Sequence, residues 1–275
     1  MKTDRDTIQN PVRVPGGAPG GDSHPRCVLA VSAHPDDDTL FAGGTLAKYA
    51  AERYEVYTLD TTRGEGGEVG EPPVGPKEQL GVLREAEARC AARALGETDI
   101  FFLDFVDPHM EIDGIALPIE ATLEEFSAAI AEHLARLRPE IVITHGTDGE
   151  YGHPQHRFTH VATRAAIQSL APWRPRAFIT WMARPPGELD ARSERISNLS
   201  DPVTETLDVS PWLEQKVAAA MCHRSQHAMF LRNSKAPGVR EMVRPVEHLR
   251  SWPAEEYLRP VTWDSRPTAT PPSGS

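Results

Sequence analysis

Two patterns alternate along the first two thirds of the chain. Residues 27–32 (CVLAVS) are a short unbroken apolar run ending in small residues, which predicts a strand buried on both faces. Residues 38–52 then place Leu40, Leu46 and Tyr49 at helical spacing with alanines between. Further strands are predicted at 54–59, 100–105, 140–144 and 177–181. Further helices are predicted at 79–95 with Gly96 as the stop, at 123–137 ahead of Pro139, and at 156–170 ahead of Pro172. Past residue 200 the rhythm fades, apart from a helix at 211–222. Strands alternating with helices predict an α/β class: a Rossmann-like three-layer fold with a mostly parallel central sheet. Ligands of such sheets sit beyond the carboxyl ends of the strands, so chemical residues are expected just after strands.

Residues 1–25 carry prolines and glycines without apolar periodicity and are expected to be a flexible arm. Residues 264–275 (DSRPTATPPSGS) are expected to be a disordered tail, which leaves 26–263 as one domain. A net charge of −11 argues against nucleic acid or an acidic membrane as partner, since both are polyanions. No long apolar run and no apolar leader segment is present, so neither a membrane span nor a secretory signal is expected. Cys27, Cys90 and Cys222 are odd in number and far apart, which points to reduced thiols and a cytoplasmic setting.

Two polar clusters follow predicted strands. After the first comes Ala33-His34-Pro35-Asp36-Asp37-Asp38-Thr39, and after the fourth comes the stretch from His145 to His156 (HGTDGEYGHPQH). Imidazoles with one carboxylate make a zinc set that leaves a fourth position for water. His34 and Asp37 can converge in one turn, with His153, His156 or His160 as the third ligand. Helix capping accounts for one or two of Asp36, Asp37 and Asp38, but not for His34. The segment 64–79 is Gly- and Pro-rich and reads as a solvated connection, with an active-site rim as the alternative. It lacks the lysine-bearing P-loop pattern, so nucleotide binding has no support.

The order of these motifs resembles the PIG-L/LmbE-like zinc-dependent N-acetylglucosaminyl deacetylases, over about residues 27–230. The residues that carry the likeness are His34-Pro35-Asp36-Asp37, Arg63-Gly64-Glu65, Arg84 with Glu87, Tyr151-Gly152-His153-Pro154-Gln155-His156, and Lys216 with His223-Arg224-Ser225-Gln226. The resemblance implies that His34, Asp37 and His156 bind Zn2+, with Fe2+ as the alternative. It implies Asp36 as general base, with His153 and Tyr151 facing the oxyanion or the leaving amine. Arg84, Asp107 and Arg63 match positions on the substrate side. The implied reaction is hydrolysis of the N-acetyl amide of a GlcNAc-type sugar conjugate, a thiol-pathway or natural-product intermediate, to free amine and acetate. The alternatives are an amidase for a larger N-acyl group and a non-catalytic metal- or sugar-binding module. The implied partner is therefore a small N-acetylated sugar conjugate.

Two positions depart from the family pattern. Asp38 stands where Glu is common, and Gln155 stands where Asp is usual. Gln155 is expected to orient His153 while supplying no negative charge.

Overall fold

The computed structural model describes residues 26–108, 117, 119–182 and 201–263. The expected arm and tail lie outside them. A seven-stranded sheet runs in the order β3-β2-β1-β4-β5-β7-β6. Its strands are β1 (Cys27–Ser32), β2 (Glu55–Thr62), β3 (Asp99–Phe105), β4 (Ile141–Thr144), β5 (Ala177–Met182), β6 (Glu205–Asp208) and β7 (Val246–Trp252). The first five are parallel and match the expected strands to within a few residues. The last two run antiparallel and extend the sheet beyond β5.

The α-helices of the described residues are α1 (Asp37–Ala51), α2 (Leu80–Leu95), α3 (Leu123–Leu137), a single turn α4 (Gly149–Gly152), α5 (Pro154–Ser169), α6 (Leu213–Cys222), α7 (His227–Ser234) and the single turns α8 (Val239–Met242) and α9 (Ala254–Tyr257). Strand alternation divides the core between two faces. Val28 and Ala30 of β1 pack with Leu46 of α1, Leu95 of α2 and Ala219 of α6. Leu29 and Val31 pack the other way, with Phe126 and Ile130 of α3 and Phe158 and Ala162 of α5. The result is the three-layer arrangement the pattern predicts. Gly96 ends α2 in the left-handed region, at φ 80°. Thr122 and Glu125 form a reciprocal capping box at the start of α3.

A polar clamp fixes α1 against the antiparallel end of the sheet. Glu247 of β7 accepts from Gly44 N and Thr45 N, both at 2.8 Å, and from Lys216 Nζ of α6 at 2.6 Å. Val209 lies so close to Gly44 that a Cβ there would collide with its side chain.

The cysteines depart from the expectation of three reduced thiols. Cys90 of α2 and Cys222 of α6 form a disulfide with Cα atoms 5.8 Å apart, and Cys27 alone is free and buried. The two helices pack side by side, which brings together thiols separated by 132 residues. No helix among the described residues is long and apolar enough to cross a membrane.

Candidate active site

β1 and β4 are neighbours from which the chain departs in opposite directions, so the crevice at their carboxyl ends is the topological switch point. Both polar clusters open there. Ala33 N donates to His145 Nε2 at 2.9 Å and ties the two turns together. Asp36, just before α1, has φ 121° and ψ −25°, a conformation rare for a residue with a side chain. Glu150 in α4 has φ 58°. Strained backbone at both turns is compatible with a site whose side-chain contacts dictate the main chain.

Three side chains converge. His34 Nδ1 lies 3.2 Å from Asp37 Oδ2 and 3.2 Å from His156 Nε2, and His156 Nε2 lies 3.4 Å from Asp37 Oδ1. Ligands about 2.0–2.2 Å from a tetrahedral zinc are spaced by about 3.3 Å, so this donor set fits such an ion. The outer nitrogens are held by acceptors, as ligand imidazoles usually are. His156 Nδ1 donates to Glu150 Oε2 at 2.6 Å, and His34 Nε2 donates to Gln155 Oε1 at 2.5 Å.

The other histidines divide by their partners. His145 also lies near Asp37, at 3.6 Å, but its Nε2 accepts the Ala33 amide and its Nδ1 donates to Glu150 at 2.9 Å. Both of its nitrogens are occupied. His160 donates from Nδ1 to His145 O at 2.9 Å and packs by Trp252, away from the triangle. His153 lies at the site, with ring centroids 5.0 Å from His34 and 4.5 Å from His156, and its buried Nδ1 has no partner. Tyr151 packs edge-on against His153 and His156 and remains 38% exposed.

Electrostatics separates the roles. Burial alone would raise Asp37, but His156, His34 and His145 outweigh it and hold the carboxyl well below the usual range. Burial pushes Asp36 up to about 7, opposed by the Arg84 guanidinium at 3.3 Å. Glu150 is held at about 2 by His145 and His156 despite its burial. Desolvation and the neighbouring imidazoles keep His153 neutral. Desolvation and the carboxylates of Asp37 and Glu150 keep the Tyr151 phenol protonated.

The residues expected on the substrate side meet different fates. Asp107 borders the site: Oδ1 accepts from Gln155 Nε2 at 2.8 Å and lies 3.8 Å from His34 Nε2, while Oδ2 accepts from Gly66 N at 3.2 Å. Arg84 is only 3% exposed, and its guanidinium donates to Gly64 O at 2.9 Å and Pro35 O at 2.6 Å besides pairing with Asp36. It is a strut for the Asp36 turn. Gly64, at φ 67°, is required because a Cβ would collide with that guanidinium. Arg63 is committed to Glu85, to Leu103 O and to Asp104, between α2 and β3.

Gln155 contradicts its expected role. It holds His34, not His153. The segment 64–79 is likewise more than a solvated connection, because Lys77 Nζ donates to Glu65 O at 3.0 Å and Gln226 Nε2 to Glu68 O at 2.8 Å. It forms a stitched wall beside Asp107. Sequence reasoning assigned no role to His145 and Glu150. Their signal is a histidine and a glutamate five positions apart, immediately after β4.

The family model of PIG-L, described as GlcNAc-PI de-N-acetylase, matches residues 29–167 and spans both clusters. The chain belongs to the PIG-L family. The family is described by a de-N-acetylase activity, the hydrolysis of an N-acetyl amide. The 1D-myo-inositol 2-acetamido-2-deoxy-alpha-D-glucopyranoside deacetylase of Actinosynnema mirum is 32% identical, over 84% of this chain and 94% of its own. Among solved structures, the N,N'-diacetylchitobiose deacetylase of Pyrococcus horikoshii superposes with a TM-score of 0.58 at 21% identity, covering 83% of this chain and 84% of its own. The 4-carboxy-2-hydroxymuconate hydratase GalB of Pseudomonas putida does so with a TM-score of 0.57 at 20% identity, covering 87% and 99%. A hydratase and a deacetylase thus share the PIG-L fold, and the fold alone does not name the reaction.

Proposed function

We propose that the protein removes the acetyl group from N-acetylglucosamine joined to a small polar partner, with inositol the first choice. The observation that carries this reading is the triangle of His34 Nδ1, Asp37 and His156 Nε2, with a separate buried carboxylate, Asp36, beside it. Metal binding alone has no need of that fourth group. The inositol choice follows the substrate named for the Actinosynnema mirum relative.

His34, Asp37 and His156 would hold zinc, or ferrous iron, since both accept two imidazoles and a carboxylate. An ion bound there supplies Lewis acidity, which activates water and polarises an amide carbonyl. Asp36 would take the water's proton and pass it to the departing amine, which cannot leave as an amide anion. Arg84 holds that carboxylate in place. Tyr151, kept protonated, would donate to the oxyanion. His153 faces the same space and would donate to the oxyanion or to the leaving amine. Of the three side chains expected at the sugar, Asp107 is retained because it borders the triangle, with Oδ1 3.8 Å from His34 Nε2.

The test is stoichiometric release of acetate and amine by zinc-loaded protein. The panel holds N-acetylglucosamine, its inositol and nucleotide-diphosphate conjugates, and the same amines carrying longer acyl chains. Acetate from the inositol conjugate supports the proposal, and amine from longer acyl chains alone points to the larger-acyl amidase. One zinc per chain with no amine from any substrate points to a non-catalytic module. Asp36→Asn is expected to lose turnover by about 100- to 10,000-fold while keeping its zinc. Undiminished turnover in that variant would remove Asp36 as the base.

A further inference from the structure

Gln155 lies between the His34 imidazole and the Asp107 carboxylate. It is buried in the first turn of α5, between a ligand imidazole on one side and acceptors on the other. Its Nε2 faces Asp107 Oδ1 at 2.8 Å and Leu117 O at 3.2 Å. Both are pure acceptors, so the amide must turn its NH2 toward them. That leaves Oε1 for His34 Nε2, 2.5 Å away. An amide oxygen at that distance requires a proton on Nε2, and Nδ1 is thereby left to face Asp37 and His156. An ionised carboxylate at position 155 could accept from His34 but could not donate to Asp107. It would set two like charges in hydrogen-bond contact.

We propose that Gln155 is a positioning residue that fixes His34 with Nε2 protonated and Nδ1 free to bind the metal, by relaying the Asp107 carboxylate through a neutral amide. The inference rests on the proposed His34–Asp37–His156 metal set. It also explains why glutamine serves here. The group between a donor and an acceptor must accept at one end and donate at the other, and an amide does both. The amide also stands between His34 and Asp107, whose carboxylate is 3.8 Å from Nε2.

The test compares zinc affinity, by chelator competition, in wild type, Gln155→Leu, Gln155→Glu and the exchange Gln155→Glu with Asp107→Asn. In the exchange, the carboxylate introduced at position 155 would accept from His34. The amide introduced at position 107 would donate to that carboxylate, so the relay is rebuilt with its charge moved. Gln155→Leu and Gln155→Glu are expected to weaken zinc binding by about 10- to 100-fold, and the exchange to recover most of that loss. A second readout is the imidazole Nε2–H signal of His34 in zinc-loaded, 15N-histidine-labelled protein. It should be slow to exchange with water in wild type and in the exchange variant, and fast in Gln155→Leu. Unchanged affinity with an unchanged signal in Gln155→Leu would overturn the proposal, as would an exchange variant no better than Gln155→Glu alone. Should Gln155→Leu fail to fold, the comparison of Gln155→Glu with the exchange still decides. Wild-type protein that binds one zinc while the His34 imidazole is unperturbed by it would instead overturn the ligand assignment.

Discussion

At the scale of single residues, the site is a set of hydrogen bonds that leave particular lone pairs free. Glu150 carries the greatest burden: its Oε2 accepts from both His145 and His156, and its Oε1 accepts Gly146 N at 2.9 Å. Glu150→Gln replaces one acceptor by a donor facing two imidazoles. It is expected to weaken zinc binding by about 10- to 100-fold, measured by chelator competition. Unchanged affinity would mean that His156 needs no fixed tautomer. His34, Asp36 and Asp37 stand out in the sequence because a histidine and aspartates directly after a buried strand have few structural uses, whereas only the family resemblance singles out His156 from His153 and His160. The partner of Gln155 was not legible. Its neighbour in sequence is His153, but its neighbour in space is His34, 121 positions away. The contacts of Arg84 and Arg63 were hidden for a similar reason. A guanidinium near a site can serve the main chain as readily as a ligand, and only its acceptors decide.

At the scale of elements, the five parallel strands were legible because burial on both faces leaves unbroken apolar runs. β7 (VEHLRSW) escaped because it alternates, with Glu247 and Leu249 buried between more exposed neighbours. Its inward glutamate reads as a surface residue until Lys216 and the α1 amides are seen around it. Lys216→Met would leave the Glu247 charge without its cation, although the amides of Gly44 and Thr45 remain. Loss of one partner from such a buried pair costs about 3–5 kcal/mol, so a clear fall in Tm is expected with zinc stoichiometry unchanged. A variant as stable as wild type would show that the α1 amides alone satisfy Glu247.

For the whole molecule, two features set stability apart from catalysis. Asp60 lies under α1 with one carboxylate oxygen against Ser32 and the other unpartnered, and burial pushes its pKa well above the ordinary value, with Asp38 adding to the effect. The folded state therefore binds a proton that the unfolded chain has released above about pH 4, so this group lowers stability as pH rises from there. Asp60→Asn should remove that slope and raise Tm at neutral pH relative to wild type, whereas parallel melting curves across pH would contradict it. The second feature is the Cys90–Cys222 disulfide, which closes a loop of 132 residues. The chain-entropy relation gives about 5 kcal/mol for such a loop, so reduction should lower the denaturant midpoint markedly. An identical midpoint with and without reductant would contradict it. No spacing rule could have paired these cysteines, because their proximity arises only when α2 and α6 dock.

The proposed function turns on one metal ion held by His34, Asp37 and His156. Its most direct test is a titration of metal-free protein with zinc while acetate release from N-acetylglucosaminyl-inositol is followed. Release is expected to rise in proportion to zinc, to level at one ion per chain, and to be matched mole for mole by free amine. Full zinc occupancy with no acetate released from that conjugate would contradict the proposed function.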